Sequence, residues 1–152
     1  MLSVTTEHAL RALVELAQLP TGAWILGREL ARRAHIPANY LAKILLMLRN
    51  AGLVEATRGQ RGGYRLAKPP EEIYLVQVVD LFEGVRSRPG CFLGESHACT
   101  DQEACSAHAL WKHVREVYLD FLTRTTIADI GQVREPGPRQ RGRSRAAAQL
   151  GK

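Results

Sequence analysis

Between Leu53 and Leu66 the apolar pattern stops following a helix and starts following a strand. The switch is built around the six-residue segment Arg58-Gly59-Gln60-Arg61-Gly62-Gly63. Leu53-Val54-Glu55-Ala56-Thr57 and Tyr64-Arg65-Leu66-Ala67 read as two short strands on either side of it. The three glycines permit the positive φ angles of a tight hairpin, and Pro69-Pro70 closes the unit.

Everything before this hairpin is helical in pattern. Over about 4–19, Leu10, Leu13, Val14 and Ala17 recur at helical spacing, with Ser3 placed as a cap and Pro20 and Gly22 as stops. A second helix, about 27–34, has Leu30, Ala31 and Ala34 on one face and Arg28, Arg32 and Arg33 on others. A third begins at Pro37, a residue suited to the first helical position, and runs to Asn50 with Leu41, Ile44, Leu45 and Leu48 in register. Gly52 supplies the left-handed residue expected just past its end. Three short helices and a two-stranded hairpin with a basic tip outline a winged helix-turn-helix, a mainly α fold with a small β wing.

After the hairpin, 73–83 reads as an extended start passing into a short helix that Gly84 stops. A loop over 85–105 follows, then a long helix over about 106–124. On that helix Leu110, Val114, Val117 and Phe121 step by four, three and four, the spacing of a coiled-coil seam. Such a stripe predicts a partner, here the same helix of a second subunit, so a homodimer is expected. The domain expectation is a DNA-binding domain over 1–70 and a connecting helix with cysteine loop over 71–105. A dimerisation helix with a short C-terminal helix takes 106–133, and a disordered basic tail takes 134–152.

Charge separates these parts. Residues 1–70 carry ten Lys and Arg against four Asp and Glu, residues 71–133 five against ten, and residues 134–152 six against one. The basic first segment is the one to expect against a polyanion. In a helix-turn-helix the second helix of the pair enters the major groove with its N-terminal residues at the base edges. Asn39 can pair with adenine, and Lys43 can reach a guanine edge or a phosphate. Pro37 and Tyr40 lie on the same opening turn, Tyr40 suited to a phosphate or sugar contact. Arg28 on the preceding helix and Arg58, Gln60 and Arg61 at the wing tip complete the expected DNA-contact set.

The three cysteines, Cys91, Cys99 and Cys105, are separated by seven and then five residues. Those gaps are wide for a zinc ribbon and for a Cys-x-x-Cys redox motif. A loop with three thiolates can wrap an iron–sulfur cluster of the 2Fe–2S or 4Fe–4S type, and soft sulfur ligands also select zinc or copper(I). A cluster needs a fourth ligand. His108, three residues after Cys105 at the start of the long helix, is the first candidate. Glu7 of the partner subunit is the second, and His97 inside the loop a weaker third. Two alternatives remain open: a zinc clamp in a constitutive repressor, and a metal-free thiol switch.

No nucleophile–base pair, paired carboxylates or phosphate-binding loop stands out, so neither an enzyme nor a small-molecule substrate is expected. No apolar run reaches the ~18 residues of a membrane span. The first residues lack the basic start and apolar core of a secretory signal, and a cytoplasmic protein is expected.

Tyr40-Leu41, the run Leu48-Arg49-Asn50-Ala51-Gly52-Leu53-Val54 and the wing Arg58-Gly59-Gln60-Arg61-Gly62-Gly63-Tyr64-Arg65-Leu66 resemble the IscR/NsrR family of bacterial winged-helix regulators. The resemblance covers about residues 1–130. It implies a homodimer on palindromic promoter DNA, carrying a cluster that senses iron–sulfur status, nitric oxide, iron or redox state. It also implies that Cys91, Cys99 and Cys105 hold that cluster. The run Cys105-Ser106-Ala107-His108-Ala109-Leu110-Trp111 is similar to the IscR branch and implies His108 as fourth ligand. Thr6-Glu7-His8-Ala9-Leu10-Arg11 is similar to the NsrR branch and implies Glu7 of the partner subunit instead. The family's glutamate in the reading helix is Ala42 here, which implies a different promoter sequence.

Overall fold

The computed structural model describes residues 2–87, 91–93 and 99–131. His97 and the basic segment 134–152 lie outside the described residues. The elements run α1 (Val4–Ala17), α2 (Gly27–Ala34), α3 (Ala38–Asn50), β1 (Val54–Thr57), β2 (Gly63–Leu66), α4 (Leu75–Glu83), α5 (His108–Arg124) and α6 (Ile127–Gly131), with a 3₁₀ turn at Pro70–Glu72.

Local chemistry sets most of the boundaries. Ser3 is extended and its hydroxyl accepts the Thr6 amide, capping α1. α2 ends on His35, which takes the left-handed conformation (φ 53°, ψ 52°) that glycine usually fills at such an end. The amide of Ile36 then bonds back to Ala31 O at 2.9 Å, and the Ile36 side chain drops into the core. Pro37 does not occupy the first helical position as the sequence suggested. Its ψ of 131° makes it the residue outside the helix, and α3 starts one residue later. α5 likewise begins at His108 rather than 106, because Ala107 sits in a turn with ψ near zero (−9°).

One continuous apolar core joins the elements. Leu13 and Leu16 of α1, Leu30 of α2, and Leu41, Ile44, Leu45 and Leu48 of α3 meet in its centre, each at most 3% exposed. Truncating one of these leucines to alanine costs roughly 2–5 kcal/mol. Ile73, Val78 and Val79 extend the core into α4, and Leu122 and Ile127 extend it into α5 and α6. Main-chain bonds from Leu75 N to Thr125 O and from Ile127 N to Ile73 O lock the start of α4 to the end of α5.

The wing is an antiparallel pair in the register Val54–Leu66, Glu55–Arg65, Ala56–Tyr64 and Thr57–Gly63. A further rung was not legible in the sequence: Tyr64 exchanges both main-chain hydrogen bonds with Ile25, which stitches the wing to the segment before α2. The expectation that all three tip glycines supply positive φ holds for Gly59 (107°) and Gly63 (142°). Gly62 is required for a different reason. A Cβ there would lie 2.6 Å from Thr57 O, so the turn has room only for hydrogen.

Most of α5 stands clear of the core, and Leu122 is its buried residue. Leu110, Val114, Val117 and Phe121 are between 50% and 77% exposed and form one open apolar stripe. No helix among the described residues is long and apolar enough to cross a membrane.

Candidate metal centre and nucleic-acid interface

Two separate surfaces gather reactive groups. At the N-terminal end of α5 the three cysteines converge although fourteen positions separate the first from the last. Their sulfur atoms all lie within 4.8 Å of one another, with Cys91 Sγ 3.7 Å from Cys105 Sγ. None is in a disulfide. His108 joins them: its Nδ1 is 3.1 Å from Cys99 Sγ. The four line a cleft of about 320 Å³ whose apolar wall includes Phe92 and Trp111, in tilted ring contact at 5.4 Å.

The electrostatics of this cleft suit a cation. A backbone hydrogen bond at Ala107 draws the Cys105 thiol down, but burial and the adjoining Cys99 and Cys91 sulfurs outweigh it and push the thiol above its ordinary value. Crowded thiols resist ionising together, and a soft cation between them removes that repulsion. On the far side of His108, Nε2 meets Asp101 Oδ1 at 2.8 Å, and Lys112 Nζ binds both oxygens of the same carboxylate at 2.8 and 3.0 Å. Lys112 first, and His108 second, hold the Asp101 carboxyl below its usual range.

Three thiols and an imidazole are the donor types that hold an iron–sulfur cluster or a single soft ion, so the residues present fit such a group. Glu7 does not enter this cleft within the chain; it is exposed on the first turn of α1. Asp101 and Lys112 were missed from sequence. The spacing of His108 and Lys112, four apart on one helix, was the available signal for the second of them.

The other surface is the helix pair with its wing. Arg28 on α2, Pro37 just before α3, and Asn39 and Lys43 on α3 are exposed, as are Arg58, Gln60 and Arg61 at the wing tip. Ion pairs divide the arginines. Arg32 and Arg33 are both bonded to Glu29, whose carboxyl they hold down at about 2, and Arg65 is bonded to Glu55. Arg28, Lys43, Arg58 and Arg61 have no acidic partner among the described residues, which leaves their charge for an external anion. Asn39 Oδ1 accepts the Tyr40 amide at 2.9 Å, and a two-point contact with a base would exchange that bond.

Tyr40 is half-buried. Its hydroxyl is hydrogen-bonded to that of Thr5, and its ring stands edge-on to His8 at 5.4 Å. Arg11 donates to His8 Nδ1 and to Ala34 O, so one face of α1 braces the opening of α3. Behind the wing, the Arg65 guanidinium lies 4.2 Å over the Trp24 ring. Neither α1's brace nor Trp24 was legible beforehand.

A winged helix-turn-helix with a basic reading face places this chain among the transcriptional regulators that bind DNA. The signature of the Rrf2 family, described as iron-dependent transcriptional regulators, matches residues 2–132, and the chain belongs to that family. It is 33% identical over 125 residues to the transcriptional regulator NsrR of Shouchella clausii, an alignment spanning 82% of this chain and 84% of the relative. It is 32% identical to NsrR of Bacillus licheniformis over 82% of this chain and 87% of that one. Among solved structures, CymR, the global cysteine regulator of B. subtilis, superposes with a TM-score of 0.70 at 27% identity, covering 86% of this chain and 95% of CymR. IscR of T. potens superposes with a TM-score of 0.66 at 25% identity, covering 86% and 85%. These relatives are regulators rather than enzymes.

Proposed function

We propose that this protein is a cytoplasmic, homodimeric regulator whose hold on a palindromic promoter is set by an iron–sulfur cluster bound at Cys91, Cys99, Cys105 and His108. The observation that carries the reading is the convergence of three sulfurs and one imidazole nitrogen in one cleft at the root of α5. The relatives named NsrR and IscR support it. Glu7 of the partner subunit is the competing fourth ligand, and comparison of Glu7→Ala with His108→Ala decides between them. Held by Cys91, Cys99, Cys105 and His108, a cluster would supply iron open to nitric oxide, to oxidants and to changes in iron supply.

The chain's own part is to convert that chemistry into a change of shape. While tied to a common ligand, Cys91, Cys99 and Cys105 are held against α5 through His108. Arg115 of α5 adds a second tie by donating to Val85 O at 3.0 Å, just after the end of α4. Released from its ligand, the loop frees α5 to shift, and with it the spacing of two DNA-reading heads. A difference of ~1–3 kcal/mol between the two arrangements changes DNA affinity about 5–150-fold. In the DNA-bound form, Asn39, Lys43 and Arg28 lie toward the major groove, Pro37 and Tyr40 lie along its edge, and Arg58, Gln60 and Arg61 reach the backbone or minor groove. The domain limits follow: 1–70 reads DNA, 71–105 carries the sensor loop, 106–133 pairs the subunits, and the basic segment 134–152 adds unspecific attraction.

The test is anaerobic preparation, with iron and sulfide assayed and promoter binding measured before and after the chromophore is removed. Iron and sulfide in equal amounts, with affinity that changes on their removal, is the expected result. A second reading has an observation of its own. The 3.7 Å between Cys91 and Cys105 sulfurs is the edge of a tetrahedron around one ion with ~2.3 Å bonds to sulfur, so a zinc clamp is the alternative. A colourless, zinc-bearing protein with constant promoter affinity is its outcome.

A further inference from the structure

The Asp101 carboxylate occupies an unusual place for an exposed side chain. Its Oδ1 is shared by His108 Nε2 at 2.8 Å and Lys112 Nζ at 3.0 Å, while its Oδ2 accepts Lys112 again at 2.8 Å. His108 and Lys112 are one turn apart on α5, so the carboxylate from the cysteine loop is clamped across two successive turns of the helix. The His108 ring is mostly covered, with 19% of its side chain exposed, against 68% for Asp101. A carboxylate accepts and does not donate when ionised, so the proton of the neutral ring sits on Nε2 and the lone pair on Nδ1. That lone pair faces Cys99 Sγ at 3.1 Å.

We propose that Asp101 is a positioning residue for the metal centre: it selects Nδ1 of His108 as the ligating nitrogen and aims it at the cysteines, and Lys112 keeps Asp101 in place. The proposal rests on the reading of Cys91, Cys99, Cys105 and His108 as one ligand set. A carboxylate behind a ligating imidazole orients the ring and raises its basicity, and losing such a partner typically costs 10–100-fold in metal affinity. An ordinary surface ion pair would do none of this; it would contribute little to stability and nothing to a metal.

Cadmium(II) is the probe, because it reports thiolate and imidazole ligation without requiring a cluster to assemble. The full-length apoprotein is titrated with Cd²⁺ in competition with a chelator, the sulfur-to-metal absorption giving the affinity. ¹¹³Cd–¹⁵N coupling in the histidine-labelled protein identifies the bound nitrogen. The expected result is coupling to His108 Nδ1 in the wild type. Asp101→Ala should bind Cd²⁺ about 10–100-fold more weakly, with Asp101→Asn, which keeps an acceptor oxygen, in between. Lys112→Met should weaken binding less than Asp101→Ala. Coupling to Nε2, or unchanged affinity and coupling in Asp101→Ala, overturns the role of Asp101 and leaves the cysteine site standing. Thiolate absorption with no histidine coupling removes His108 from the ligand set and the proposal with it. Absence of thiolate absorption in the wild type overturns the metal reading as a whole.

Discussion

Glu83, the last residue of α4, accepts a hydrogen bond from the Thr6 hydroxyl of α1 at 2.5 Å, and the Ser3 amide donates to the same oxygen at 2.9 Å. Gly84 follows at once with φ 63°, and the chain leaves toward the cysteines. The neighbouring residue of α1, Thr5, holds the Tyr40 hydroxyl of α3. Consecutive threonines in one helical turn therefore grip the root of the cysteine loop and the start of α3, the helix proposed to read DNA.

The Glu83 contact has a pH signature. The Ser3 and Thr6 hydroxyls, with the Ser3 amide, hold its carboxyl below the usual range. Folding favours the charged form, so this stabilisation is complete above the unfolded pKa of about 4.3 and is lost as pH falls through the lower folded value. Glu83→Gln should lower stability at neutral pH by roughly 1–2 kcal/mol and flatten the acid side of the stability curve. Chemical denaturation across pH 3–7 checks both; parallel curves for variant and wild type would remove the charge from the account.

His35 makes the turn between α2 and α3 in a conformation that costs a side chain about 1 kcal/mol more than glycine. It is exposed, so little packing is lost on truncation. His35→Gly should raise the melting temperature by a few degrees. A lower melting temperature would mean that the imidazole does more than tolerate its place.

Gly63 lies where the wing crosses the segment before α2. A Cβ there would stand 2.2 Å from Ile25 O, at a φ of 142° that side chains rarely adopt. Gly63→Ala should destabilise the protein by about 2 kcal/mol or more. The Tyr64 amide, which donates to Ile25 O at 2.8 Å, should lose its protection in hydrogen exchange. Retained protection would show that the backbone can give way without breaking the rung.

Arg58 stands exposed at the wing tip without an acidic partner among the described residues. If it meets a phosphate, Arg58→Ala should weaken binding to specific and random duplex alike and reduce the slope of log K against log salt by about one unit. Arg32→Ala, whose guanidinium is bonded to Glu29 at 2.6 Å, should change that slope less. Identical slopes for wild type and Arg58→Ala would take the wing out of the DNA contact.

Val117 is 58% exposed at the middle of the α5 stripe. If this stripe pairs two copies of the chain, as proposed, Val117→Glu should leave the fold intact and yield a monomer in sedimentation or light scattering, with weaker promoter binding. A variant that sediments like the wild type would place the subunit contact elsewhere.

The winged helix-turn-helix was legible because each of its parts is a local pattern. The leucines of α1 and α3 repeat at the helical period, Gly52 and Gly84 mark ends, and the wing glycines mark a turn. The open stripe of α5 was legible for the same reason, since four apolar residues that no core element covers still keep their spacing. The three cysteines were legible as a group because the loop that carries them is short.

Contacts across large separations in the chain left no such trace. Nothing periodic links Thr6 to Glu83 or Thr5 to Tyr40, and a composition-neutral Ile25 gives no sign that it will add a rung to the wing. Asp101 reads as one more loop acid until the fold brings it behind His108, and Gly62 reads as a flexible residue until the turn closes on it. Periodicity and end signals in the chain set which segments become helix, strand and turn, because those choices depend on neighbours within a few residues. Which side chains face one another was decided only when the common core closed, because packing fixes distance and orientation between segments that share no local pattern.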